Sequence, residues 1–235
     1  MAINPIMVVG LALGMRHGTD PDHLAAIDGL SRIRPGRANG VYFALGHGAV
    51  VTLLAVGVGR IVAGRLEFVA PWILILIGFV NLWRLLARPA PYNESYRPVI
   101  ARPFLLGMLF AAGFETASQL SALIAAAHGN AWKLGAAFSL GMVLVDGLDG
   151  YLAATTQTLA IAGQTRGRAA SRLLGVIVVV FALGLGAAEL AGADIDSFAL
   201  PLGLALFAAV LGIRLWARPT PAQNAPAGTA EEEAT

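Results

Sequence analysis

The densest group of polar side chains lies in the first apolar stretch of this 235-residue chain, which reads RHGTDPDH from Arg16 to His23. His17 and His23 supply imidazole nitrogens, and Asp20 and Asp22 supply carboxylate oxygens. Such donors suit Ni²⁺, Co²⁺, Zn²⁺ or Mn²⁺ better than the softer Cu⁺. Because the chain has no cysteine, a thiolate site is excluded. The alternative is that these residues pair with Arg16 and cap a kink, but the density of donors favours a metal site.

The same stretch carries two residues that weaken a helix. Pro21 cannot donate a backbone hydrogen bond, and Gly18 has a low helix propensity. A carboxylate followed by proline, as in Asp20-Pro21, is typical of a new helix start. The sequence therefore predicts a first membrane helix that is broken around Gly18–Pro21. Many transporters direct such half-helix ends at a bound ion.

Further polar side chains recur in later apolar segments. His47 lies between two glycines, a pattern that is more often an interhelical hydrogen bond than a ligand; we include it in the candidate metal site. A charged group at mid-bilayer costs at least about 2.5–3.5 kcal/mol, so these groups must face the interior. Their negative charge can be balanced in three ways, which the sequence leaves open: one acid pairs with Arg16, some acids are protonated, or a cation is bound. The candidate lining of the route comprises Asp20, Asp28, Glu115, Gln119, Asp146 and Asp149.

The elements that position these residues are apolar segments of membrane-spanning length. The chain is 57% hydrophobic and 13% charged, whereas a soluble domain is about 25% charged. We predict an all-α integral membrane bundle of seven transmembrane helices, a permease domain over 1–218 and a disordered cytoplasmic tail over 219–235. The net charge of +2 is too small to indicate a nucleic-acid-binding surface. The predicted segments run over 4–30, 38–64, 68–87, 102–127, 131–162, 171–192 and 197–217.

The distribution of the basic residues predicts how the chain is oriented in the membrane. With these segments, twelve of the sixteen basic residues fall on one side, three on the other, and Arg16 lies within the first segment. The twelve include Arg214 and Arg218 at the C-terminal end. Since basic residues accumulate on the cytoplasmic side, we expect a multi-pass protein of the cell (inner) membrane with its N-terminus outside and its C-terminus in the cytoplasm.

Four motifs in order resemble those of the nickel/cobalt transporter (NiCoT) family. The first is RHGTDPDHLAAID over 16–28, and it is followed by LGHGAVV over 45–51, GFETASQ over 113–119 and GMVLVDGLDG over 141–150. Family members have eight spans, so this chain resembles a shortened, divergent member. The departures from the family pattern are Gly29, Glu115, Gln119 and Gly147, and they bear on metal specificity.

The resemblance implies transport of nickel or cobalt, with uptake into the cytoplasm expected. It assigns metal binding to His17, Asp22 and His23, places His47 nearby, and makes Glu115, Asp146 and Asp149 the lining of the route or proton carriers. No enzyme activity or prosthetic group is expected, because Ni²⁺ or Co²⁺ is the substrate. The expected partners are the lipid bilayer and the metal ion, with a homo-oligomer left open. The alternatives are metal efflux, a metal-sensing or assembly protein, and a membrane-embedded metal-dependent hydrolase with Glu115 as base.

Overall fold

The computed structural model describes residues 5–55, 69–87, 102–111, 131–193 and 196–218. Within these ranges every regular element is an α-helix. The elements are α1 (Pro5–His17), α2 (Pro21–Ile33), α3 (Asn39–Ala55), α4 (Val69–Leu86), α5 (Pro103–Ala111), α6 (Ala131–Ile161), α7 (Thr165–Leu190) and α8 (Asp196–Trp216). The predicted all-α class is therefore confirmed.

The first predicted span is divided into two helices. α1 ends at His17 and α2 begins at Pro21. Between them a tight turn forms, in which the amide of Thr19 donates to the carbonyl of Arg16 at 2.9 Å and the amide of Asp20 to that of His17 at 3.0 Å. Asp20 has the extended backbone of an N-cap residue (φ −63°, ψ 143°), but its side chain makes no capping hydrogen bond. The break lies where Gly18 and Pro21 predict it, and the carboxylate of Asp20 is left for another partner.

The longest helix, α6, lies along α1 and α3 at very short range. A Cβ atom placed on Gly14 of α1 would lie 2.7 Å from the carbonyl carbon of Phe138, and one placed on Gly40 of α3 would lie 2.5 Å from that of Asp146. Small residues let helices approach this closely. Gly14 and Gly18 meet successively later residues of α6, so α1 runs parallel to α6 and the break lies beside the middle of that helix.

α2 occupies the interior of the bundle. All but one of its thirteen residues are buried, including Ala26, Ile27 and Leu30. It contacts α3, α4, α6, α7 and α8. Large apolar side chains such as Trp83, 73% exposed, instead face outward. Apolar outer surfaces around buried charges are the arrangement that lipid favours.

Among the described residues, three helices are long and apolar enough to cross a bilayer: Ala131–Ile161, Thr165–Leu190 and Ser197–Trp216. The shorter apolar helices are Pro5–His17, Asn39–Leu54 and Pro71–Leu86. The predicted segments 38–64 and 102–127 are described only to 55 and 111, so the count of seven spans stays a prediction. Glu115, Gln119 and the predicted tail over 219–235 lie outside the described residues.

Candidate metal site

Three histidines from three helices meet at the break. His17 is the last residue of α1, His23 lies in the first turn of α2, and His47 lies in the middle of α3. Their ring centroids are 4.5 Å (His17 and His23), 5.0 Å (His17 and His47) and 4.6 Å (His23 and His47) apart. One ligand atom from each lies within 4.8 Å of the other two. All three side chains are buried.

Local sequence explains the convergence. The tight turn lets His17 and His23 approach one point from two separate helices, which a continuous helix could not do at a spacing of six residues. His47 is flanked by Gly46, which packs on Phe104 of α5, and Gly48, which packs on Ser139 of α6. These glycines allow α3 to enter between two helices, so His47 is drawn into the interior.

Carboxylates orient two of the three rings. The Nδ1 atom of His17 lies 2.7 Å from Oδ2 of Asp20, and the Nδ1 atom of His23 lies 3.1 Å from Oδ2 of Asp146. Metal-binding histidines typically use one ring nitrogen for such a carboxylate and the other for the metal. Asp20 and Asp146 are therefore placed as orienting groups. Nε2 of His23 has no partner among the described residues, and Nε2 of His17 lies against Nε2 of His47.

Two ring nitrogens in the cluster are buried and lack a partner among the described residues. They are Nε2 of His23 and Nδ1 of His47. A buried polar atom without a partner typically costs about 1–3 kcal/mol. A metal ion bound by these rings supplies the missing interaction at Nε2 of His23, which is the donor chemistry expected of a transition-metal site.

The distance between the remaining nitrogens fits a single ion. Nε2 of His17 and Nε2 of His47 are 3.1 Å apart. Two nitrogens at this separation can both lie about 2.1 Å from one ion, with an angle of roughly 95° at the metal. Such an angle is close to that of the square-planar and tetragonal geometries typical of Ni²⁺ and Cu²⁺. Without an ion, one ring donates to the other.

Asp22 takes a different position from the one expected of a direct ligand. It is 7% exposed, and its Oδ2 atom lacks a partner among the described residues, yet it lies outside the group of three mutually close histidines. Its neighbour His23 belongs to that group. The ligand role of Asp22 stays a prediction, while His17, His23 and His47 are brought together.

Asp28 and Asp149 form a second buried cluster with Arg214, which sequence reasoning assigned to the cytoplasmic end. Arg214 lies in the last turn of α8, and its side chain is buried at 2% exposure. Its guanidinium donates to Oδ1 of Asp149 at 2.5 Å and to Oδ1 of Asp28 at 2.7 Å. Both acids thus pair with Arg214 and not with Arg16. The sequence feature that could have indicated this pairing is a single basic residue within the last apolar segment, because a base buried in the membrane needs an acidic partner there.

The fold and the site together define a class: an all-helical membrane protein whose interior holds a nitrogen- and oxygen-rich site suited to a divalent transition metal. A family model described as high-affinity nickel-transport protein matches residues 6–88, which include all three histidines. The high-affinity nickel transport protein of Cupriavidus necator is 28% identical, over 82% of this chain and 71% of its own length. The nickel transporter NixA of Staphylococcus aureus is 28% identical, over 78% of this chain and 71% of its own.

A further relative is the nickel transporter NicT of Mycobacterium tuberculosis, 29% identical over 59% of this chain and 53% of its own length. No solved structure matches the chain. The chain is similar to proteins of high-affinity nickel transport, in agreement with the resemblance carried by the four sequence motifs. The family model and these relatives are described as transport proteins.

Proposed function

We propose that this protein carries Ni²⁺ across the cell membrane into the cytoplasm and that His17, His23 and His47 form its binding site. The observation that carries the proposal is the convergence of these three buried rings at a helix break, with ligand atoms within 4.8 Å of one another. Co²⁺ prefers similar nitrogen and oxygen donors, so it is the expected second substrate.

The break favours a cation in two ways. The C-terminal end of α1 carries the negative end of a helix dipole, directed towards the site from His17. The N-terminal end of α2 is positive, but Asp20 and Asp22 lie at that end and offset it. An ion that loses water at this point therefore gains imidazole nitrogens within a field that favours positive charge.

The helix lengths support treating α1 and α2 as the two halves of one span. Each has 13 residues, which corresponds to roughly 20 Å and is too short for a hydrocarbon core of about 30 Å. With this pairing, the described helices agree with seven spans over 1–218. Moving Arg214 into the interior leaves eleven basic residues against three, which still favours a cytoplasmic C-terminus and an outer N-terminus.

Uptake of radioactive Ni²⁺ into proteoliposomes tests the proposal. The wild-type protein should accumulate the ion in response to an imposed gradient, and His23→Ala should lose most of this flux because Nε2 of His23 is removed from the site. Lys133→Gln, a change on an exposed side chain at the start of α6, is the matched control and should transport normally. Flux by His23→Ala equal to that of the wild type would contradict the assignment of the site.

A further inference from the structure

Arg214 is the largest fully buried side chain in the described part of the chain, and the histidine site does not use it. Its Nη1 atom donates to the backbone oxygen of Asp149 at 3.0 Å and to the carboxylate of Asp149, and its Nη2 atom donates to the carboxylate of Asp28. The Oδ2 atom of each carboxylate has no partner among the described residues. The same is true of the Nε atom of Arg214. The cluster therefore holds one cation between two acids that have unused oxygens.

The cluster lies next to the histidine site, further towards the C-terminal ends of α2 and α6. Asp149 is three residues after Asp146 on α6, and Asp28 is five residues after His23 on α2. At about 1.5 Å per residue, these spacings correspond to roughly 4.5 and 7.5 Å along the helix axes. With the proposed orientation, this direction leads towards the cytoplasm. An ion that leaves the histidines inward meets the two carboxylates next.

We propose that Arg214 is a tethered cation that closes the inner end of the route, holding Asp28 and Asp149 until the transported metal ion takes its place. The inference rests on the proposed function. Carboxylate oxygens are acceptable ligands for Ni²⁺, and a buried carboxylate needs a cation or a hydrogen-bond donor. Since an arginine side chain does not lose its proton in proteins, it can release the acids only by moving.

The helix that carries Arg214 is placed to sense the histidine site. Gly203 of α8 packs directly on the backbone oxygen of Thr19 in the break, and Arg214 lies three turns later on the same helix. Pro201 interrupts the hydrogen-bond ladder of α8 next to that contact. A change in the break on metal binding therefore reaches Arg214 through one rigid element.

A small cavity with room for about one water molecule lies beside α8. It lies between α2, α7 and α8, and its walls include Leu24, Asp28, Leu206 and Val210. Asp28 is the one charged residue among the described residues that line it. Because Val210 is one turn before Arg214 on α8, displacement of the arginine would alter the access to this position.

Stoichiometry of Ni²⁺ binding to the purified full-length protein, measured by calorimetry, tests the proposal. The wild type should bind one ion per chain. Arg214→Gln should bind two, because Asp28 and Asp149 are freed, and addition of Asp28→Asn and Asp149→Asn should return the value to one. Arg214→Lys keeps a tethered cation and should bind one, as should Arg218→Gln, a change at an exposed neighbour. One ion bound by a folded Arg214→Gln would overturn the inference.

A second measurement retains Arg214 and so does not depend on that variant folding. The chain has no cysteine, so Val210→Cys can be alkylated selectively. In inside-out vesicles, Ni²⁺ should raise its alkylation rate about tenfold, the change expected if a minor open state of up to about 10% becomes the dominant one. An unchanged rate in protein that binds Ni²⁺ would contradict the gate, whereas failure of the wild type to bind Ni²⁺ would instead refute the proposed function.

Discussion

Gly14→Ala tests whether the close approach of α1 to α6 sets the geometry of the histidine site. The added Cβ would lie 2.7 Å from the carbonyl carbon of Phe138 and 3.0 Å from its Cα, both backbone atoms that cannot rotate away. Since carbon atoms in contact are about 3.5–4.0 Å apart, α1 must move away from α6 by about 1 Å. His17 is three residues later on the same helix, so it moves with it.

The expected effect on nickel binding is larger than that on stability. Overpacking costs about 1–3 kcal/mol, of which the gain in helix propensity from glycine to alanine offsets roughly 0.5–1 kcal/mol. Metal sites tolerate ligand displacements of only about 0.2 Å, so a shift of about 1 Å should weaken Ni²⁺ binding by roughly 10–100-fold, as loss of an orienting partner does. Calorimetry in detergent gives the dissociation constant, and thermal unfolding followed by circular dichroism gives the stability.

Gly212→Ala is the matched control, because a Cβ at Gly212 meets no heavy atom of the described residues within 4 Å. It should bind Ni²⁺ as the wild type does and be at least as stable. If Gly14→Ala bound Ni²⁺ with wild-type affinity, the close contact between α1 and α6 would not determine the position of His17.

Three further predictions concern the break, the ligands and the topology. Pro21→Ala restores a backbone donor at the start of α2, so it should lower Ni²⁺ affinity at least tenfold with little change in the unfolding temperature; unchanged affinity would show that the break is not needed. Neutral imidazole is the form that binds the metal, so protons should compete with Ni²⁺ for the histidines. The Ni²⁺ affinity should therefore decrease as the pH is lowered below about 6.5, the ordinary pKa of histidine, and an affinity that is constant from pH 5 to 8 would argue against histidine ligands. Cysteines introduced at the exposed positions Ala38 and Gln164 should react with impermeant reagents from the cytoplasmic side only, and one at Ala193 from outside only; labelling of all three from one side would contradict the seven-span topology.

The helix break could be predicted because it is a local property. Proline and glycine act on the backbone hydrogen bonds of their own turn, so Gly18 and Pro21 predict the end of α1 and the start of α2 without reference to the rest of the chain. The extent of α6, observed over Ala131–Ile161 and predicted over 131–162, likewise follows from its largely apolar composition.

The partners of the buried acids could not be predicted in the same way. Asp28, Asp149 and Arg214 lie on three helices far apart in sequence, and which acids meet the arginine depends on how α8 packs. Arg214 is two residues from the end of its helix, where sequence alone does not distinguish a side chain that reaches the interface from one that turns inward. The pairing of Asp146 with His23 is equally a consequence of helix packing.

X-ray absorption at the nickel edge, recorded on the purified protein with one equivalent of Ni²⁺, tests the central claim most directly. The account predicts a first shell of nitrogen and oxygen at about 2.0–2.1 Å, with the multiple scattering of three imidazole rings. His47→Ala should reduce this contribution to two rings. A nickel spectrum without imidazole scattering, or one that is identical in the wild type and in His47→Ala, would contradict a site formed by His17, His23 and His47.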